Sequence, residues 1–185
     1  MNQIFKFIIF VLLTNSFSIC YGQFILEYGK SSKDIIYDSA NDRTTFNIGS
    51  LKSYGLGAKT KKHLFEDYKI AGTFRLNYGS NDDKTNINCN FYEGQVGLFY
   101  DPFNGLLITP VLELNSAYRI GNIENKLQQT NIRESGLIYS GQISLNKKFS
   151  KLNIGLAYKY LANSSNSVLP SNFDEYKLIL LFPNN

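Results

Sequence analysis

The stretch YKIAGTFRLNYG, Tyr68–Gly79, alternates between apolar and polar side chains with almost no interruption. One parity carries Tyr68, Ile70, Phe74, Leu76 and Tyr78, and the other carries Lys69, Ala71, Thr73, Arg75 and Asn77. A period of two predicts a β-strand with one apolar face and one polar face. The alternation alone leaves the orientation open, because a soluble protein buries the apolar face whereas a membrane barrel turns it to lipid.

Seven other segments share this alternation and predict seven more strands. They are residues 23–30, 44–60, 85–100, 105–120, 135–146, 151–160 and 175–182. Long polar connections, Ser31–Arg43, Gly121–Glu134 and Leu161–Asp174, alternate with shorter turns such as Asp101–Gly105. Regular strands joined by long and short connections in turn predict an all-β fold, an eight-stranded antiparallel up-and-down transmembrane β-barrel.

Two positions disturb this pattern. The parity is lost at Ser50–Lys52, where we predict a β-bulge. Pro110 falls in the middle of a predicted strand, although a closed barrel offers no free edge for a residue without an amide proton. A second bulge at Pro110 would resolve this conflict.

Three features favour lipid outside the barrel and charge inside it. The polar parity carries both signs of charge, which can pair across a narrow lumen. Its charged members are Glu27, Lys69, Arg75, Glu93, Glu113, Arg119, Lys159 and Lys177. Tyrosines lie near strand ends with aliphatic residues between them, as in membrane aromatic girdles, and several strands have room for the about 9–11 residues that cross a bilayer. A secreted, lipocalin-like barrel with an apolar ligand in its lumen stays open as the alternative.

The first 22 residues have the layout of a secretory signal peptide, with Lys6 followed by an apolar run from Phe7 to Leu13. This predicts a mature barrel domain of residues 23–185. A lipoprotein box ending at Cys20 is the competing interpretation, against which stands the bulky Ile19. The net charge of +4 and the absence of a basic run argue against a nucleic-acid partner.

Five charged residues are the candidate site, because all are predicted to face the lumen. They are Arg75, Glu93, Glu113, Arg119 and Lys159. We expect a salt-bridge network that fills the barrel, with Arg75 beside an acid such as Glu93. Glu93 and Glu113 could also serve as the two acids of a glycosidase, which the filled interior disfavours.

No cofactor, metal or catalytic residue is predicted. The single histidine, His63, falls in a short turn without the partners of a metal site or a nucleophile–base pair. The adjacent acids Asp82 and Asp83 lack the further oxygen ligands of a calcium site. We therefore expect a protein that is not an enzyme.

The signal, the eight strands and the terminal stretch YKLILLF together resemble the small outer-membrane β-barrel proteins of Gram-negative bacteria, of the OmpX/OmpA-like type. Tyr176, Leu178, Leu180 and Phe182 match the last strand that the barrel-insertion machinery recognises in that group, although Pro183–Asn185 follow the final aromatic residue. The resemblance implies a monomer in the outer membrane with both termini in the periplasm. It also implies membrane lipid and the insertion machinery as partners. A structural or surface-interaction role is expected, with a possible ligand at the outer loops and no wide pore.

Overall fold

The computed structural model of the chain describes residues 21–38, 45–60, 64–81, 86–103, 106–150, 152–163 and 174–183. Its strands are β1 (Tyr21–Ser31), β2 (Ile35–Asp38), β3 (Thr45–Gly49), β4 (Leu51–Thr60), β5 (Ile70–Asn81), β6 (Ile87–Tyr100), β7 (Ile108–Asn125), β8 (Thr130–Phe149), β9 (Leu152–Asn163) and β10 (Asp174–Pro183). Cys20, His63, Asp82 and Asp83 lie outside the described residues. The division after Gly22 stays a prediction.

Eight of the strands form one closed antiparallel barrel, in the order β1-β10-β9-β8-β7-β6-β5-β4. The first and last strands close it, since β1 pairs with β10 on one side and with β4 on the other. β2 and β3 form a separate two-stranded sheet within the connection that follows β1. The predicted eight-stranded barrel is confirmed. No helix in the part of the chain that the structure describes is long and apolar enough to cross a membrane.

Midway along the barrel, the outer face is apolar and the lumen is polar, while apolar side chains face the lumen near its two ends. Along β7, Leu112, Leu114 and Tyr118 are exposed, whereas Glu113 and Arg119 are buried. The other barrel strands follow the same rule, because alternate residues of a strand point to opposite faces. This arrangement does not favour the lipocalin-like alternative, which requires the apolar side chains to line the lumen.

The predicted long loop Gly121–Glu134 is wrong. β7 continues to Asn125 and β8 begins at Thr130, so only residues 126–129 form the turn. The two strands stay paired out to the Asn125–Thr130 pair. Most residues in this region are polar, so the sequence resembles a loop. The alternation of buried and exposed residues nevertheless continues, with Ile123 buried and Glu124 exposed.

The predicted strand 44–60 is two strands, so the bulge expected at Ser50–Lys52 is wrong. Residue 44 is not described; β3 pairs with β2, and the chain joins the barrel only at Leu51, where β4 starts. Gly49 sits at the junction with a φ of 76°, a conformation that glycine adopts readily. β2 itself occupies part of the connection predicted as the loop Ser31–Arg43.

Two residues of the opening stretch lie outside the strand in which they were predicted. Tyr68 ends a short 3-10 turn, Glu66–Tyr68, and β5 starts only at Ile70. Lys69 does not face the lumen, because its ammonium group donates to the carbonyl of Pro102 in the next turn, at 3.2 Å. The residues from Ile70 to Tyr78 alternate as predicted.

Pro110 lies in β7 without a bulge. It pairs with Leu145 of β8 in an unbroken register, whereas the ladder between β6 and β7 ends at the Tyr100–Leu112 pair. Pro110 therefore has a paired strand on one side only. A residue without an amide proton is tolerated where the ladder has ended.

Candidate functional site

A row of tyrosines surrounds the outer face of the barrel near the end opposite the chain termini, which the resemblance to outer-membrane barrels implies is the extracellular end. Tyr28, Tyr54, Tyr78 and Tyr92 stand opposite one another on four neighbouring strands. Their rings are in contact, with centroids 5.4 Å apart for Tyr28 and Tyr54 and 5.2 Å apart for Tyr78 and Tyr92. The row continues through Tyr118, Tyr139, Tyr158, Tyr160 and Tyr176. Such a girdle marks a membrane–water interface.

The apolar band below this row approaches the height of the apolar band of membrane barrels, which is about 25 Å. Tyr92 and Tyr100 are eight residues apart on β6. At a rise of about 3.3 Å per residue and a strand tilt of about 40°, they are separated by about 20 Å along the barrel axis. Exposed aliphatic side chains such as Val96 and Leu98 fill the interval. The aromatic side chains at the opposite end include Phe24 and Phe182, whose ring centroids are 6.4 Å apart.

Above the tyrosine row, the distribution of polar and apolar side chains is reversed. β6, β7 and β8 project beyond the row as a three-stranded sheet. β7, for example, continues seven residues past Tyr118, which is about 18 Å along the axis. The outward face of this projecting sheet is polar. It carries Asn88, Asn90, Asn122, Glu124, Asn131, Arg133 and Ser135. A surface that changes from apolar to polar at a tyrosine row passes there from lipid to water.

The inner face of the projecting sheet is apolar and packs against the β2–β3 hairpin. Ile48 of β3 is fully buried. It belongs to a cluster with Leu51, Cys89, Phe91, Ile123, Ile138 and Leu161, against which Ile87 and Ile132 also pack. Through Ile48, the hairpin contributes to an apolar cluster at this end of the lumen, and we call the hairpin and this cluster the outer plug.

Asn81 fixes the outer plug to the barrel. Its side-chain amide donates to the carbonyls of Ile48, at 3.0 Å, and Ile87, at 2.6 Å. Its carbonyl oxygen accepts the amide proton of Cys89, at 2.8 Å. One side chain on β5 therefore joins β3 to β6.

All five charged residues of the candidate site lie in the lumen, and each is nearly inaccessible to solvent. Arg75 does not pair with Glu93 as expected. Its guanidinium donates to both carboxylate oxygens of Glu113, with Nη2 2.8 Å from Oε2, and its Nε lies 2.8 Å from a carboxylate oxygen of Glu27. A bidentate guanidinium–carboxylate pair is among the stronger polar contacts in a protein.

Glu93 is the centre of a second group. Its Oε2 accepts from Nε of Arg119 at 3.0 Å and from Nη2 at 2.6 Å. Its Oε1 accepts from the ammonium group of Lys159, at 3.2 Å, and from the amide of Asn77, at 3.0 Å. Both carboxylate oxygens are therefore satisfied by donors from three other strands.

Three charged residues outside the candidate set complete the network. Lys177 donates to Glu27 at 2.9 Å and lies 3.8 Å from Glu175. The group around Arg75 contains three acids and two bases, and the group around Glu93 contains one acid and two bases. The two groups together are neutral, which lowers the cost of placing eight charges away from water. Glu27 and Lys177 share the polar parity in the sequence, whereas Glu175 was not among our predicted lumen charges.

The arrangement leaves the two acids of the glycosidase hypothesis in separate ion-paired groups. Glu113 is held by Arg75, by the hydroxyl of Thr73 at 2.7 Å and by the amide of Gln142 at 3.2 Å. Both acids are fully engaged and buried, so neither is poised to act on a sugar. Among the described residues, no group of three His, Cys, Asp or Glu side chains is placed to hold a metal ion.

Apolar side chains occupy the periplasmic end of the lumen. Buried Ile25, Ala157, Ile179 and Leu181 form one cluster, and Ala71, Phe99 and Val111 form another. A small polar cavity of about 270 Å³ opens below them, with the ammonium group of Lys59 lying 4.1 Å from the centroid of the Phe99 ring. From the periplasm outward, the lumen contains apolar side chains, paired charges and the outer plug.

The last strand presents the residues of the predicted insertion signal to the outside. Tyr176 and Leu178 are exposed, and Leu180 and Phe182 are half-buried on the same face of β10. Tyr176 contacts Tyr158 of β9, with ring centroids 5.5 Å apart. Recognition of these four side chains by the insertion machinery stays a prediction.

Models of known protein families give no match to this chain, and neither do curated protein sequences. Several solved structures do match it. The barrel is similar to Neisserial surface protein A, with a TM-score of 0.62 at 10% identity over 88% of this chain and 97% of that chain.

Two further solved structures are similar. Ail, the attachment invasion locus protein of Yersinia pestis, gives a TM-score of 0.54 at 8% identity, over 88% of this chain and 98% of that chain. The outer membrane enzyme PagL gives 0.53 at 15% identity, over 86% of this chain and 99% of that chain. At these identities the likeness concerns the fold, which here coincides with an apolar outer face below a tyrosine girdle. The chain has the fold of the eight-stranded outer-membrane β-barrels of Gram-negative bacteria, and its apolar face belongs in the outer membrane.

Proposed function

We propose that this protein is a closed, monomeric outer-membrane barrel that displays a folded extracellular sheet for surface interaction and that has no wide pore. The reversal of polarity at the tyrosine row carries the proposal. A barrel that only spans a membrane needs short connections above the interface. Here β6–β8 continue outward with their own apolar core on Ile48 and a polar outer face. A rigid polar surface held away from the membrane is suited to contact with a partner in water.

Three layers of side chains support the absence of a wide pore. The apolar clusters at the periplasmic end, the neutral charge network and the outer plug all lie inside one eight-stranded barrel. A barrel of this strand number has an interior that side chains can just fill. We infer a structural or interactive role rather than transport.

The same proposal includes that the chain is not an enzyme. One of the similar folds is an outer membrane enzyme, so the fold permits both possibilities. The composition favours a protein that is not an enzyme, because the chain has a single histidine, His63, in the predicted periplasmic turn. A hydrolase of the membrane surface requires a base beside its nucleophile.

Two of the proteins with a similar fold are named as a surface protein and as an attachment invasion locus protein. These names supply a practical assay for the proposal. Bacteria that express the full chain are compared with vector-only cells for attachment to immobilised matrix proteins and cell-surface glycans. We expect attachment to at least one of these surfaces to rise several-fold.

A variant of the polar face shows whether the projecting sheet is responsible. Asn122→Ala, Asn131→Ala and Arg133→Ala together should return attachment to the vector level. A control with Lys147→Ala and Lys148→Ala, at the opposite end of the barrel, should attach like the unchanged protein. Attachment at the vector level for the unchanged protein on every surface would reject the interactive role.

A further inference from the structure

A pocket of about 420 Å³ lies just outside the tyrosine row, where β1, β4 and β10 meet. It is lined by Lys30, Ser31, Ser32, Lys33, Asp34, Ser50 and Tyr176. Lys30 stands opposite Lys52 of β4 and opposite Tyr176 of β10 in the two ladders. Lys30 and Lys33 therefore line the pocket and Lys52 lies beside it on β4, while the pocket wall also carries the carboxylate of Asp34.

The lysines are at the depth of lipid head groups. Lys30 follows Tyr28 by two residues on the same face of β1, and Lys52 precedes Tyr54 by two residues on the same face of β4. Two residues of a tilted strand raise a side chain by about 5 Å above the tyrosine row. A tyrosine girdle lies at the interface itself, so these ammonium groups are level with the head groups of the outer leaflet.

The basic sector does not continue onto the three strands that follow β4. At the equivalent positions, two residues beyond Tyr78 on β5 and Tyr92 on β6, the chain carries Ser80 and Asn90. Beyond Tyr118, on β7, it carries Ile120. The positive charge thus marks one site on the circumference rather than a general property of the rim.

Hydrogen bonds hold the walls of the pocket in place. The hydroxyl of Ser31 accepts the amide proton of Leu51, at 2.9 Å, and the amide of Ser32 donates to the carbonyl of Asp174, at 2.8 Å. The carboxylate of Asp174 accepts a hydrogen bond from the hydroxyl of Tyr158. The side of the pocket formed by Ser31 and Ser32 is therefore held against β4 and β10, and serine and tyrosine hydroxyls accompany the ammonium groups in its lining.

The surface below the pocket is the lipid-facing side of the same three strands. Leu26 of β1, Leu56 of β4 and Leu178 of β10 are exposed directly beneath the tyrosines. A ligand that fills both regions has an anionic group above a hydrocarbon chain. We propose that this pocket binds the phosphate-bearing head group of a lipid in the outer leaflet, with its acyl chain lying over Leu26, Leu56 and Leu178. The proposal goes beyond the surface role, since it concerns a different sector of the molecule.

The test measures lipid retained by the folded mature chain in a neutral detergent. The probes are phosphatidylglycerol, which is anionic, and phosphatidylcholine, which is zwitterionic, each counted on the intact protein by native mass spectrometry. We expect phosphatidylglycerol to bind at least tenfold more tightly. A lysine near an anionic surface contributes about 1 kcal/mol, about fivefold in affinity. The triple variant Lys30→Gln, Lys33→Gln, Lys52→Gln should therefore lose most of this preference.

Matched variants make the outcome decisive. Replacing Lys126, Lys147 and Lys148 by Gln removes as much charge elsewhere and should keep the preference, as should the charge-conserving change of Lys30, Lys33 and Lys52 to Arg. Lys33 lies outside the barrel strands, so Lys33→Gln alone, with an expected loss of about fivefold, serves if the triple variant does not fold. An equal loss in the two Gln triples would overturn the proposal. Displacement of the lipid by millimolar inorganic phosphate would overturn it too, because it would show a site for soluble anions.

Discussion

Arg75 is the residue on which the larger ion-paired group depends. It contacts Glu113 through two nitrogens and Glu27 through a third, and all three side chains are almost completely buried. Removing the guanidinium leaves two carboxylates facing each other away from water. The cost of such a change is dominated by the charges that remain, because an unpaired buried charge is more unfavourable than the pair is favourable.

We therefore expect Arg75→Met to lower the free energy of unfolding by about 3–5 kcal/mol. The double variant Arg75→Met, Glu113→Met should lose less, because Glu27 keeps Lys177 as its partner. Urea titration in phospholipid vesicles measures the free energies of unfolding of both variants, with the folded and unfolded chains distinguished by their different mobility on a denaturing gel. Lys147→Met, at an exposed position, serves as the control, with a change within about 0.5 kcal/mol. A double variant less stable than Arg75→Met would contradict the expectation.

The lumen position of most of the network charges could be predicted from the sequence, although Lys69 was placed wrongly and Glu175 was missed; the partners of the charges could not be predicted. Strand parity alone assigns Arg75, Glu93 and Glu113 to the face opposite the large apolar residues. Partner choice depends on the register and on distances across the lumen. Arg119 and Glu93 are direct neighbours in the ladder between β6 and β7, whereas Arg75 on β5 reaches Glu113 on β7, two strands away. No local pattern contains this second contact.

At the scale of elements, the side chains of β7 indicate where the membrane boundary lies. Leu114 and Asn122 are on the same outward face of this strand, four residues on either side of Tyr118. Leu114 is among the most exposed aliphatic residues of the barrel, at 69%. If the tyrosine row is the interface, lipid surrounds the first residue and water surrounds the second.

The same substitution at these two positions should have very different effects. Leu114→Arg is expected to lower the free energy of unfolding in vesicles by about 2–4 kcal/mol, the cost of arginine near the bilayer midplane. Asn122→Arg is expected to change it by less than about 1 kcal/mol, because the side chain stays in water. Urea titrations of both variants in the same vesicles make the comparison. Equal losses would place the boundary elsewhere.

The projecting part of β7 and β8 explains why a loop was predicted there. Below the tyrosines, the apolar side chains point outward; above them, the apolar side chains Ile123 and Ile132 point inward and Asn122 and Arg133 point outward. Strand prediction that expects the apolar side chains always on the outward face fails where the surroundings of that face change from lipid to water. The alternation of Ile123 with polar neighbours was the available signal for a strand. Which of its two faces points inward could be assigned only once the position of the interface was known.

The outer plug is the element whose removal is most easily observed. Cys89 lies in its apolar cluster and is 2% exposed, and it is the only cysteine of the predicted mature chain. Ile48→Asp should release the β2–β3 hairpin, because a buried carboxylate without a partner costs several kcal/mol. We expect the maleimide labelling rate of Cys89 in the folded protein to rise at least tenfold. Asn47→Asp, at the exposed neighbouring position, should leave the rate unchanged, and slow labelling in both would show that Ile48 does not shield the thiol.

At the scale of the whole molecule, three layers of different chemistry close one lumen. Removing the β2–β3 hairpin of the outer plug should leave Phe91 of β6 over the network, because its ring centroid lies 4.1 Å from the guanidinium of Arg119. The network is neutral and spans six strands, β1, β5, β6, β7, β9 and β10. Loss of one layer should therefore leave the other two in place.

We expect no stepwise conductance from the mature chain in a planar lipid bilayer. A variant in which a short turn replaces residues 33–49 should also be silent, although its Cys89 reacts with maleimide, because the paired charges and the periplasmic clusters still fill the barrel. Labelling of Cys89 in the same preparation serves as the control, since it proves that the plug has gone. Conductance that appears only on deletion would identify the hairpin as the sole barrier, and conductance from the unchanged chain would refute the closed barrel.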